Sequence, residues 1–257
     1  MRTRPALLAL VVIILLVVGG GAAAWALVLR GDDVAPLALP SRGSAASSGT
    51  AAGSGSATSS GAGATLPPAS AATVDAASIP GTWTIGSDSI AGYRVRERLA
   101  SLSADSDAVG RTNAISGTAT IAANGANLSV TTADFSVDMT TIASDRKMRD
   151  NRLRNDGIQT DSFRTSTFKL TSPIALPADA TTGAQVKVTL HGDLTLHGVT
   201  KTVDIPGTAQ LNGSLIQAVG SLEFPFSDFA INAPNIGGFV AVQDLGTLEF
   251  LVNLTKT

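Results

Sequence analysis

The 257-residue chain holds few side chains suited to catalysis. It has no cysteine, which excludes disulfides, thiolate nucleophiles and cysteine-built zinc or iron–sulfur sites. Its two histidines, His191 and His197, fall on one face of a strand-like run. Six residues of extended chain set them about 20 Å apart, too far to share a metal ion. Asp105-Ser106-Asp107 opens like a calcium loop, but Val109 stands where a third oxygen ligand belongs and Ser116 where the closing glutamate belongs. There is no nucleophile elbow, no Walker loop and no His-Glu-x-x-His pair. No catalytic residue, metal or cofactor is therefore expected, and the chain reads as a non-enzyme. A hydrolase with a dispersed Ser/Asp set is the one catalytic reading left, and no local motif supports it.

Two groups of side chains suit binding instead. In Tyr93, Val95, Glu97, Leu99 the glutamate occupies the apolar face, while Arg94, Arg96 and Arg98 share the other. A carboxylate that points inward must be paired, protonated or beside a wet cavity. Glu97 is either a polar contact inside a ligand cavity or the place where a strand leaves the core. Arg146, Lys147, Arg149, Arg152 and Arg154 put five cations within nine residues. They can hold a phosphate or a lipid headgroup. With Asp145, Asp150 and Asp156 interspersed, a solvated and self-paired helix face is the competing reading.

These residues need elements to position them. Residues 144–157 read as one short helix, with Ser144-Asp145 as the cap and Gly157 as the stop. Asp145→Arg149 and Asp150→Arg154 are i,i+4 pairs in the favourable order. Met148 and Leu153 are its only apolar residues, so it lies on the domain and does not form its centre. The rest of residues 80–257 alternates with period two. Val186, Val188, Leu190, Gly192, Leu194 and Leu196 share one face; Leu248, Phe250, Val252 and Leu254 repeat the pattern. Residues 126–139 change phase near Thr131–Ala133, the mark of a bulge or a strand that swaps faces. Turn signals at Asn124-Gly125, His197-Gly198 and Asn212-Gly213 separate the runs. The fold class is all-β, with about eight or nine strands in an antiparallel barrel or sandwich.

Two segments precede this domain. Residues 6–29 are 24 positions without a charge, about 36 Å of helix, enough to cross a hydrocarbon core. A transmembrane signal anchor is expected over residues 1–30, with a cleaved signal peptide as the rival. Either way the folded domain lies outside the cytoplasm. It is then bound to the cell membrane by a single pass, or secreted if the segment is cleaved. Residues 31–79 are rich in Ser, Ala and Gly and read as a disordered linker, with an end-to-end distance of about 35–45 Å. The balance of 18 Lys+Arg against 20 Asp+Glu gives no general attraction to nucleic acid.

Several motifs occur in a recognisable order. They are Gly81-Thr82-Trp83-Thr84-Ile85, then Gly92-Tyr93-Arg94-Val95, Asp134-Phe135-Ser136-Val137-Asp138-Met139, and the Ser144-Asp145…Arg149-Asp150 block. Ser166-Thr167-Phe168 follows, and then the most specific run, Gly192-Asp193-Leu194-Thr195-Leu196-His197-Gly198-Val199-Thr200-Lys201. With these, residues 80–257 resemble the YceI family, the polyisoprenoid-binding, lipocalin-like domain of bacterial envelopes. The chain departs from that pattern where Glu97 replaces a common His and Arg164 a common Pro. The resemblance implies an elongated antiparallel barrel with a helical cap and a tunnel for a long isoprenoid chain.

The expectation is thus a tethered, non-catalytic binder of a polyprenyl or quinone-like lipid, which it would carry, sequester or sense. The expected tunnel wall is Tyr93, Val95, Ile115, Phe135, Val137, Phe168, Leu170, Val188, Leu190, Phe224 and Phe250. Glu97 is the expected polar contact in the lumen, and Arg149 and Arg152 the expected headgroup contacts at the mouth. The isoprenoid lipid and the membrane are the partners, and a homodimer stays open. The alternative is a ligand-free structural or interaction module on a stalk.

Overall fold

The computed structural model describes residues 34–40, 75–99, 105–232, 235–236 and 240–257. Thirteen strands run in chain order: β1 (Gly81–Ile85), β2 (Ile90–Leu99), β3 (Asp105–Thr112), β4 (Ile115–Asn124), β5 (Asn127–Asp138), β6 (Ala143–Ser144), β7 (Thr165–Leu170), β8 (Ile174–Leu176), β9 (Val186–Leu196), β10 (Val199–Asn212), β11 (Leu215–Pro225), β12 (Asn235–Ile236) and β13 (Val240–Lys256). Every pairing is antiparallel. Four pairs of consecutive strands continue one another: β1 and β2 both pair with β13, β3 and β4 pair with β2 and β1, β5 and β6 pair with β4 and β3, and β7 and β8 both pair with β5, while the two-residue β12 only adds to β13. Counted as staves, this is an eight-stranded up-and-down barrel in sequence order, closed by β13 against β1 and β2. Closure leaves no long unpaired edge between first and last stave.

The local chemistry explains the turns. His197 and Gly198 both adopt left-handed φ, 51° and 74°, in the two-residue turn joining β9 to β10. That geometry matches the twist of the flanking strands. Thr131 is the extra residue of a bulge: Thr120 pairs with Thr132 but Ile121 with Val130. This is the phase change expected near residues 131–133. At the break between β1 and β2, Asn253 closes the wall, with its side-chain amide donating to Ser87 O at 3.0 Å and its backbone N–H to Ser89 Oγ at 3.0 Å.

One end of the barrel is floored by Ile79 and Trp83. Both are buried there, and the Trp83 indole donates to Ile79 O at 2.9 Å. Asp75 caps a short 3-10 turn over 76–78, just before β1, with its side chain accepting from Ala77 N.

The opposite end carries the helix, shorter than the sequence suggests. α1 spans Lys147–Arg152 and continues as a π turn over Leu153–Gly157. Its cap is Arg146, which makes no side-chain capping bond; Ser144 instead belongs to β6. Asp145 pairs with Arg149 as expected. Asp150 turns inward, where its carboxylate accepts from Ser144 N at 2.9 Å and Ser144 Oγ at 2.6 Å. A buried carboxylate takes these fixed donors in preference to an exposed i,i+4 partner.

Residues 34–40, within the expected linker, lie against the domain, where Arg94 and Arg111 donate to Val34 O and Ala35 O and Leu39 is buried. Among the described residues no helix is long and apolar enough to cross a membrane, and the charge-free run 6–29 lies outside them.

A candidate lipid cavity inside the barrel

The alternation of each stave turns one apolar row into the barrel, and that interior is not filled. Three cavities of about 270, 70 and 110 Å³ follow one another from the helical end to the Trp83 end. The upper and middle cavities share Ala91, Val137, Ser166 and Leu248. The middle and lower cavities share Phe135, Leu190, Phe250 and Val252.

The aromatic residues leave this space open by lying on the wall. A Cβ built on Gly192 would stand 2.5 Å from Phe168 Cζ, so the ring rests on the bare backbone of the next strand. The same holds for Phe250 over Gly220 at 2.6 Å, Phe135 over Gly117 at 2.7 Å and Tyr93 Cζ over Gly110 at 2.8 Å. Glycine on one strand thus makes the seat for an aromatic on its neighbour, and the centre of the barrel stays clear.

The expected wall residues distribute along this axis. Tyr93, Val95, Val137 and Phe224 line the upper cavity with Glu97, Arg149 and Arg152. Ile115 and Phe168 line the middle one, together with Val137, Leu190, Phe135 and Phe250. Val188, Leu190, Phe135 and Phe250 line the lower one. Leu170 lines none of the three; it is buried in the apolar core. The sequence reading missed the floor residues Trp83, Ile121 and Leu128 and the mouth residues Met139, Ile142, Met148 and Ile158. The period-two alternation was available for Ile121. Met139 and Ile142 sit in a 3-10 turn and its exit, Met148 lies within α1 and Ile158 ends the π turn that follows it, where no strand period applies.

The polar groups gather under α1. Arg149 reaches down to Glu97 with two hydrogen bonds, Nη2 to Oε2 at 3.1 Å and Nε to Oε1 at 3.3 Å. Both side chains are largely buried, so Glu97 is the paired inward carboxylate and not a strand end in solvent. The Asp145 carboxylate also accepts from Arg149. Burial lowers the pKa of the Arg149 guanidinium, but its bonds to Glu97 and Asp145 outweigh that and raise it. Tyr93 lies in the same group, and its hydroxyl is buried without a hydrogen-bond partner. Burial drives its pKa far above the ordinary phenol value; the Arg149 charge opposes this, and Asp150, Glu97 and Asp145 reinforce it.

Arg152 lies at the rim and only loosely faces Asp156, at 3.9 Å. Met148, also lining the upper cavity, is 79 % exposed. The rear of the cap is held by the β9–β10 turn. His197 Nδ1 lies 3.0 Å from Phe229 O, Nε2 lies 3.2 Å from Gln159 Oε1, and the ring packs 4.2 Å from Phe163. His191 is on the outer face with Asp204, at 2.6 Å.

The YceI-like domain model matches residues 83–254. Among solved structures, a polyisoprenoid-binding domain from Saccharophagus degradans is 15% identical, with a TM-score of 0.49, and the match covers 69% of this chain and 99% of that one. BcnA from Burkholderia cenocepacia is 20% identical, with a TM-score of 0.46, and the match covers 63% and 95% of the two chains. The YCEI protein of Campylobacter jejuni is 17% identical, with a TM-score of 0.42, over 54% and 80%. No curated protein matches the chain. The family model spans more than half of the sequence and the whole ordered barrel except its ends, and the chain belongs to the YceI-like domain family.

Proposed function

We propose that this protein binds a long isoprenoid-type lipid, without catalysis, on the extracytoplasmic side of a membrane. The observation that carries the reading is the row of three cavities inside one closed barrel, walled by apolar side chains and open toward α1. A prenyl chain is slender and flexible, and burial of its surface at about 25 cal/mol per Å² drives its entry without a dedicated polar site. The family resemblance points to the same class of guest.

The headgroup belongs at the mouth. Tyr93 offers a phenolic proton with no protein acceptor. Arg149 is already matched by Glu97 and Asp145, so a diphosphate there would face two carboxylates. An uncharged carbonyl, such as a quinone oxygen, suits the Tyr93 donor better. Arg152 remains at the rim for contact with a polar head.

The test is to purify the full chain from its host, extract it with organic solvent and identify the extract by mass spectrometry. A reproducible prenyl lipid at near-equimolar amount is the expected result. An empty protein that also fails to take up a prenyl quinone or a polyprenyl phosphate from detergent overturns the reading and leaves the structural-module alternative.

A further inference from the structure

The outer wall of the barrel makes a contact that lipid binding does not use. Residues 34–40, Val-Ala-Pro-Leu-Ala-Leu-Pro, rest against it. Arg94 Nη2 donates to Val34 O at 2.8 Å, and Arg111 Nη2 donates to Ala35 O at 2.7 Å. Leu39 is only 9% exposed. The receiving guanidiniums are also held by carboxylates of the barrel itself. Glu249 on β13 is 3% exposed and accepts from Arg111 Nε at 3.0 Å and Nη2 at 2.8 Å, with Arg94 Nη2 at 3.6 Å. Asp107 holds Arg94 from the other side at 3.0 Å. Both guanidiniums therefore present their remaining N–H groups in set directions. The segment answers with carbonyl oxygens, no charge, and two prolines that restrict it before docking.

Its place in the chain gives the contact a consequence. It follows the charge-free run 6–29 by four residues and precedes the Ser/Ala/Gly-rich stretch 41–74. We propose that residues 34–40 are a strap that holds the barrel wall of β2, β3 and β13 close to the membrane in which residues 6–29 are anchored. Five peptide steps from Leu29 to Val34 reach at most about 18 Å, whereas a free tether over 31–79 would let the barrel ride about 35–45 Å away. The strap is covalently attached, so a few hydrogen bonds and one buried leucine suffice to keep it docked. The inference uses the anchor reading of residues 6–29 and is independent of what occupies the lumen.

The experiment uses the full chain in phosphatidylglycerol/phosphatidylethanolamine vesicles. The sequence has no cysteine, so Ser221→Cys on the exposed face of β11 accepts a single donor dye, with acceptors on the lipid headgroups. The comparison protein has residues 34–40 replaced by Gly/Ser of equal length, with Arg94, Arg111 and Glu249 intact. Energy transfer is expected to fall about twofold or more on replacement, from the two reaches above. Equal transfer in both proteins, with both melting at the same temperature, overturns the strap. A mature chain whose mass lacks residues 1–30 also overturns it. Lipid content, read separately from the same preparations, reports on the lumen alone.

Discussion

Arg149 on the mouth helix and Glu97 on β2 are joined by two hydrogen bonds between positions 52 residues apart. The pair ties the cap to the barrel wall beside the upper cavity. A double-mutant cycle with Glu97→Ala and Arg149→Ala should return a coupling of about 1.5–3 kcal/mol, the range for hydrogen bonds to charged groups. Thermal denaturation of the four proteins checks this. Additive losses would show that the pair does not hold the cap.

Tyr93 should separate stability from binding. Its hydroxyl has no partner in the empty barrel, so Tyr93→Phe should leave stability unchanged or raise it by about 1 kcal/mol. The same change should weaken a prenyl quinone by about threefold to tenfold while leaving an all-hydrocarbon analogue such as squalene unaffected. Calorimetric titration of both ligands gives the ratio.

Tyr93 is also the only tyrosine in the chain, so its ionisation can be read without interference. Burial raises its pKa, because the folded site disfavours phenolate. The sign follows by linkage: the contribution to stability is complete below the unfolded phenol value of about 10 and is lost as pH rises above it. Tyrosinate absorbance should therefore stay absent through that pH in the folded protein and appear with alkaline unfolding. A normal titration with the far-ultraviolet spectrum intact would contradict the buried placement.

The glycine seat at Gly192 should be intolerant for a reason other than backbone angle. A Cβ at Gly192 overlaps both Phe168 and the carbonyl oxygen of Lys169, and the backbone oxygen cannot yield as a side-chain end could. Gly192→Ala should cost about 2–3 kcal/mol and push the Phe168 ring into the middle cavity. Gly213→Ala meets nothing within 4 Å, though its φ of 63° carries a strain of about 1 kcal/mol. Melting temperatures rank the two, and lipid content should fall only for Gly192→Ala.

Much of the barrel was legible because alternation is a local property. The run from Val186 to Leu196 shows its two faces within eleven residues, and the structure pairs all of it with β10. The turn dipeptides and the phase change at Thr131 were equally local. The helix was read too long because a cap is a geometric event. Ser144 had the right side chain, but pairing of Gly110 with Ser144 drew it into β6 and left Arg146 at the helix start. Leu170 alternates like its neighbours, yet periodicity says which face a residue takes and not whether space remains in front of it.

Composition and period two by themselves determined a cysteine-free, all-β antiparallel domain with one cationic helix, since strand faces and turns are set by residues close in sequence. Only the tertiary structure decided that Glu97 meets Arg149, that four rings lie on glycines of neighbouring strands, and that residues 34–40 return to the wall through Arg94 and Arg111. Each of these joins groups far apart along the chain. Register and barrel closure bring them together, and neither is written in any short window of residues.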